Sequence, residues 1–208
     1  MGAGAAALGL DGEVDANAFG ALIAGRDPKS GEVLRSASAR DRVCSLDFTL
    51  SAPKSVSVLF AIGDEEISRT LVEAHEEAVA AAVGYLEREA CRVRRGGGGR
   101  IELRANGFVA AAYRHRMSRA GQPQLHTHVV AANLARGCDG RWSALHGYPI
   151  FQHAKAAGSL YQAHLRLAVR ERVPLSGGVT GSGHGFCFAS EPIGPAPVNE
   201  SARRRTRR

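Results

Sequence analysis

Long hydrophobic runs are missing from this sequence. No window approaches the roughly 18 consecutive apolar residues that a membrane span needs. The small apolar opening, Met1 to Leu10, has no basic leader and soon meets Asp11 and Glu13. Neither a spanning segment nor a secretory signal is expected, and the expected location is the cytoplasm. Cysteine is scarce and scattered: Cys44, Cys91, Cys138 and Cys187 form no CxxC pair. That argues against a zinc knuckle, and with no sign of export, free thiols are expected rather than disulfides. An excess of positive charge is also missing from most of the chain. The formal net charge is +7, but Arg203, Arg204, Arg205, Arg207 and Arg208 account for five of it, which leaves +2 for residues 1–202. The basic end adds loose phosphate affinity. It does not by itself identify a DNA-binding protein.

What is present is enough for one ordinary domain: 208 residues can bury a sizeable core. A short helix is predicted from Asp15, its cap, to about Ile23, with Gly25 helping to end it. In residues 43–50, Val43, Ser45, Asp47 and Thr49 alternate with Cys44, Leu46, Phe48 and Leu50. This period of two predicts a strand with one apolar face and Asp47 on the opposite, more polar face. Ser51-Ala52-Pro53 then turns into a helix, with Pro53 at its first position. A longer helix runs from about Asp64 to Arg92, where Ile67, Leu71, Ala74, Ala78, Ala82 and Tyr85 keep helical spacing. After a turn at Gly96–Gly99, strands are predicted at 101–104, 108–115 and 126–134. Another helix spans about 149–172. From Ser176 onward Gly, Ser, Pro and Arg dominate, and residues 174–208 are expected to be a disordered tail. Strands and helices come in blocks, which points to an α+β fold: an antiparallel sheet with helices packed on one face.

The residues with most chemistry are histidines. His126 and His128 are one residue apart, so on a strand both imidazoles point the same way. His115 ends an upstream strand, and the connection from Arg116 to Leu125 is short enough to bring it back beside the pair. Three neutral imidazoles suit Zn, Mn, Ni or a similar divalent ion, and three protein ligands leave positions open for substrate. The other five histidines, His75, His146, His153, His164 and His184, have no partner at ligand spacing and read as surface or packing residues. Spacing alone does not separate a metal site from two ordinary strand histidines. The sequence around them does.

Residues 113–133, Tyr-Arg-His-Arg-Met-Ser-Arg-Ala-Gly-Gln-Pro-Gln-Leu-His-Thr-His-Val-Val-Ala-Ala-Asn, resemble the metal-site signature of TrwC-type (MobF) conjugative relaxases. Residues 46–57, Leu-Asp-Phe-Thr-Leu-Ser-Ala-Pro-Lys-Ser-Val-Ser, resemble that family's acidic strand and the turn after it. Gly9 to Val14 and Asp139 to Trp142 are similar too, and the likeness runs from about residue 7 to 173. The resemblance implies a relaxase-like palm over residues 1–173 that engages single-stranded DNA at a transfer origin. There a tyrosine attacks the phosphodiester while a divalent ion (Mg, Mn, Zn or Ni) on three histidines holds the scissile phosphate. By that resemblance His115, His126 and His128 are the metal ligands. Asp47 matches an acidic residue that either orients a histidine or helps take the tyrosine proton.

The departures from the pattern carry their own expectations. The family's catalytic tyrosines lie upstream of the segment matched by Gly9–Val14, and the first tyrosine here is Tyr85. Nicking is therefore expected to be impaired. Tyr85 and Tyr161 sit at apolar helical positions and Tyr148 follows a glycine in a loop, which leaves Tyr113, two residues before His115, as the one to examine. Gln122 stands where the family has an acidic residue, an expected weak point of the loop joining the ligands. The family continues into a helicase region, but no GxxxxGK[ST] loop occurs here, so no use of ATP is expected. Lys54, Arg114 and Arg119, with Arg116 beside them, are the candidate DNA contacts. The rival reading is a metal-binding, DNA-interacting module with no nuclease activity, and a third is cleavage by metal-bound water or by Tyr113.

Overall fold

The computed structural model describes residues 1–10, 12–35, 43–173 and, for the backbone, 187–189. Their order is α1 (Ala3–Ala7), α2 (Ala16–Ile23), β1 (Ser45–Ser51), α3 (Lys54–Ile62), α4 (Glu65–Ala90), β2 (Arg92–Arg95), β3 (Ile101–Arg104), β4 (Ala110–Met117), β5 (Pro123–Ala132), β6 (Ala135–Arg136), β7 (Trp142–Ser143), α5 (Gly147–Arg172) and β8 (Cys187–Ala189). The main sheet has the order β4-β5-β1-β8 and every pairing in it is antiparallel. The α+β architecture expected from the sequence is the one observed.

Alternation sorts β1 as expected: Leu46, Phe48 and Leu50 are buried, while Asp47, Thr49 and Ser51 are only half-buried on the other face. The apolar face packs on α4 and α5. Both helices present small residues to that contact, Ala74, Ala78 and Ala82 from α4 and Ala154, Ala157 and Gly158 from α5, all buried. Small side chains let two 26-residue helices lie close and leave room for Leu71, Leu86, Leu165 and Tyr161 to fill the core. Asp64 caps α4 through its carboxylate on the Ile67 amide, 2.8 Å, and Asp15 caps α2 on the Ala18 amide, 2.6 Å. Among the described residues, the opposite face of the sheet is covered at one end only. There α1 and α2 bring Ala5 and Leu22 against Val109, Ala132 and Leu134 in a second, smaller cluster.

Several boundaries differ from expectation for physical reasons. Helix α4 stops at Ala90, because Arg92 already pairs with Arg104 in the β2–β3 hairpin, whose Gly-rich tip is a single 3-10 turn at Gly97–Gly99. Pro53 is the cap of α3, one residue outside it. Tyr148 lies in the first turn of α5 rather than in a loop. Strands β4 and β5 run closer to their shared turn than predicted. Of the tail expected to lack structure, Cys187–Ala189 forms β8 along β1, since backbone pairing there depends on an open sheet edge more than on composition. The remainder of 174–208 lies outside the described residues.

One buried polar chain ties the helices to the sheet. His75 of α4 is fully buried, with Nδ1 2.8 Å from the Tyr161 hydroxyl and Nε2 2.8 Å from Thr127 Oγ1. Burial, assisted by the Arg114 charge, lowers its pKa from 6.5 to about 4. The folded state thus holds this imidazole neutral, whereas the unfolded chain takes up the proton below pH 6.5. Because the unfolded state binds more protons, stability is present above that pH and is lost as pH falls toward 4. The expected loss is on the order of 3 kcal/mol. Urea unfolding of the wild type between these pH values should show it, and His75→Gln, which keeps hydrogen-bonding capacity but does not titrate, should flatten it. Equal pH slopes in the two proteins would contradict the assignment.

Candidate metal and DNA site

The open end of the second sheet face is built by three strands in register. Ser51 of β1 lies opposite His126 of β5, which lies opposite His115 of β4, and one pair further on Thr49, His128 and Tyr113 align the same way. Paired residues of antiparallel strands share a face. His115, His126 and His128 therefore project together, on the same side as Asp47, Thr49 and Tyr113. The triad predicted from the sequence is brought together. Its ring centres are 5.1 Å (His115 to His126), 5.2 Å (His126 to His128) and 5.4 Å (His115 to His128) apart.

Two of the three imidazoles are already oriented. His128 Nδ1–H donates to Asp47 Oδ2 at 2.7 Å, and the Thr49 hydroxyl lies 3.1 Å from the same nitrogen. His126 Nδ1–H donates to the Gln124 carbonyl at 2.9 Å. With both Nδ1 atoms engaged as donors, each Nε2 keeps its lone pair free. This is the tautomer and carboxylate–histidine pattern that metal-ligating imidazoles use. The pKa of His126 is lowered, first by burial and then by its His128 and His115 neighbours, against opposing contributions from the Gln124 carbonyl and Asp47. A neutral ring is the ligating form.

The donor set fits a divalent ion. Imidazoles bound to one tetrahedral ion at about 2.0–2.1 Å per nitrogen have ring centres about 5 Å apart, the separation seen here. Among the described residues, no three His, Cys, Asp or Glu side chains already have the donor positions of a metal cage. Ring-centre spacing is the better measure of what small ring rotations can bring together, because it does not depend on which ring atom faces inward. Three protein ligands would leave the fourth position for a phosphate oxygen.

The basic candidates divide. Lys54 is exposed at the start of α3, and its Nζ donates to Gln122 Oε1 at 3.2 Å and to the Pro123 carbonyl at 3.0 Å. The β4–β5 turn is thus pinned at Gln122, where a weak point was expected, and Ser118 N–H also donates to the Gln122 carbonyl. Arg119 is exposed on that turn, beyond the histidines. Arg114 is not brought to the site. It pairs in register with Thr127 on the helix side of the sheet and its guanidinium bonds Glu76 of α4. Arg116 lies over the Phe60 ring, 5.6 Å from its centre. Of the remaining histidines, His153 has its Nδ1 2.8 Å from the Tyr85 hydroxyl and His146 lies 3.3 Å from Glu102, both away from the triad.

Sequence reasoning missed Thr49 and Gln124. Thr49 had a signal, since it stands two residues after Asp47 on the same strand face. Gln124 had none, because it acts through its backbone.

The family model for TrwC relaxase matches residues 1–180. A multifunctional conjugation protein TraI of Escherichia coli is 36% identical over 179 residues, covering 81% of this chain and 10% of the relative. The TraI of Escherichia coli strain K12 is 39% identical over 146 residues, 69% of this chain and 8% of the relative. The chain thus spans about a tenth of the length of these relatives. Among solved structures, conjugative relaxase TrwC in complex with oriT DNA in a metal-bound form superposes with a TM-score of 0.72 at 36% identity, over 82% of this chain and 59% of that one. Its copper-bound form gives 0.74 at 35% identity, over 90% and 63%. TrwC complexed with a 27-mer DNA comprising the recognition hairpin and the cleavage site gives 0.74 at 36% identity, over 91% and 66%.

The Asp47–His128 bond makes a measurable prediction. Asp47→Asn should weaken Zn²⁺ or Mn²⁺ binding about 10- to 100-fold in a chelator-competition titration, with unfolding unchanged. Undiminished affinity would mean that the carboxylate does not orient a ligand.

Proposed function

The chain belongs to the TrwC relaxase family, and from its histidine face we propose that it binds a divalent metal ion through His115, His126 and His128 and uses it to hold a phosphate of single-stranded transfer-origin DNA for nicking. The observation that carries this reading is the convergence of three imidazoles, two of them oriented through Nδ1, on a face that no helix among the described residues covers at that end. Bound there, the ion would polarise a phosphoryl oxygen and offset charge developing in the displacement.

The chain's own residues do the rest. Asp47 holds His128 in its ligating tautomer, and Gln124 does the same for His126. Lys54 fixes the β4–β5 turn so that His115 and His126 stay opposed, and it stands with Arg119 at the rim where a DNA backbone would pass. Binding of this kind needs no ATP, and the cytoplasm is the compartment that suits it. Among the described helices none is long and apolar enough to cross a membrane.

Tyr113 is the tyrosine on this face, opposite His128 in register. Its ring meets Phe19 of α2 edge-on at 6.5 Å, a packing role. That contact favours, for the residues described, metal-dependent DNA binding with weak cleavage over a rebuilt nucleophile.

Incubation with Mn²⁺ and a single-stranded transfer-origin oligonucleotide labelled at its 3′ end separates the possibilities on native and denaturing gels. Metal-dependent retardation, abolished in His126→Ala/His128→Ala, with little cleavage is the expected result. Retardation indifferent to metal and to those substitutions would refute the proposal. A protein-linked band lost in Tyr113→Phe would show that Tyr113 attacks the phosphodiester and overturn its packing role.

A further inference from the structure

At the other end of β4 three arginines converge with little to neutralise them. In the β2–β3 hairpin, Arg92 lies directly opposite Arg104, a like-charge pair that opposes strand pairing. Arg88, in the last turn of α4, joins them, and the three line one cavity of about 320 Å³ with Glu87, Asn106 and Gly107. Two acidic groups stand nearby. Glu87 Oε1 accepts the Ala3 and Phe108 amides at 3.0 and 2.7 Å, and Glu102 stands 3.7 Å from Arg92 alone. Among the described residues, the Arg88 and Arg104 side chains have no hydrogen-bond or ion-pair partner, and both are exposed. Arg95, on the other hairpin face, differs sharply: Asp139 grips it at 2.7 and 2.9 Å. Arg95 is a brace, whereas Arg92 and Arg104 of the hairpin line the cavity with Arg88, Arg92 also donating to the Arg88 and Cys91 carbonyls at 3.3 and 3.2 Å.

Three guanidinium groups set against two carboxylates, Glu87 and Glu102, leave an excess of positive charge that an anion with several acceptor oxygens would stabilise, and planar forked donors are well matched to it. The cavity opens beside Gly107, just before β4, whereas His115 lies five residues along β4 from its first residue, Ala110, about 17 Å at strand rise. We propose that Arg88, Arg92 and Arg104 form a second phosphate site that grips the backbone of the same DNA molecule away from the histidine face. This rests on the proposed DNA-binding function and adds a contact that reads backbone, not sequence.

The test is fluorescence anisotropy between about 50 and 200 mM salt, with one single-stranded oligonucleotide of about 30 nucleotides and one of about 6. Arg88→Gln/Arg104→Gln should bind the long strand about 10-fold more weakly and lower the slope of log K against log salt by about 1.4, since each lost phosphate contact removes about 0.7. Its affinity for the short strand should be unchanged. Unaltered affinity and slope on the long strand would overturn the proposal. So would an equal loss in Arg166→Gln/Arg170→Gln, two exposed arginines of α5 that serve as a charge control. His126→Ala/His128→Ala run beside them separates the two readings. Loss in the arginine variant alone keeps this site and removes the histidine reading, and loss in the histidine variant alone does the reverse.

Discussion

A slip of one residue between β1 and β5 would turn His126 and His128 into the core and bring Thr127 to solvent, because side chains alternate faces along a strand. The site therefore depends on register, and the structure fixes that register from both sides. On the buried side Phe48, Val129 and Thr127 face the helices, and Thr127 is bonded to His75, which is bonded in turn to Tyr161. On the open side Asp47 reaches diagonally across to His128 of β5. The threonine between the two histidines thus works on one face of β5 while its neighbours work on the other. Burying a polar His–Tyr–Thr chain costs desolvation, which the paired hydrogen bonds offset, and it leaves little freedom for the strand to slide.

How much of this could be seen in the sequence varied with the kind of interaction. Period-two alternation at 43–50 pointed to both the strand and the side on which Asp47 lies. The His-x-His spacing placed two imidazoles on one face, and the longer motif around it brought in His115. Arg114 was misplaced because proximity in sequence to His115 was given more weight than alternation, which already puts neighbours on opposite faces. His75 was passed over as packing, which it is, but its link to Thr127 needs a helix and a strand 52 residues apart to be docked. The β2 strand was absorbed into the preceding helix, since Arg92 to Arg95 carry no strand propensity beyond Val93 and owe their pairing to β3. Edge strand β8 lay in a stretch whose composition suggests no structure.

Two features of the molecule complement each other if it handles a long flexible strand. A half-open face offers imidazoles with free Nε2 atoms, and the far end of β4 offers guanidinium groups with unspent charge. The first suits one phosphate held for chemistry. The second suits a phosphate held only for position, and its contribution should fade with salt while that of the histidine face follows metal.

The central claim is that these three histidines, through the nitrogens their partners leave free, take one divalent ion. Long-range ¹H–¹⁵N NMR of the imidazole nitrogens during a Zn²⁺ titration addresses it most directly. The account predicts that at one equivalent the Nε2 resonances of His126 and His128, with one nitrogen of His115, shift together while the Nδ1–H of His126 and His128 remain protonated. Shifts at His146 or His153 instead, or no change at the triad, would contradict it.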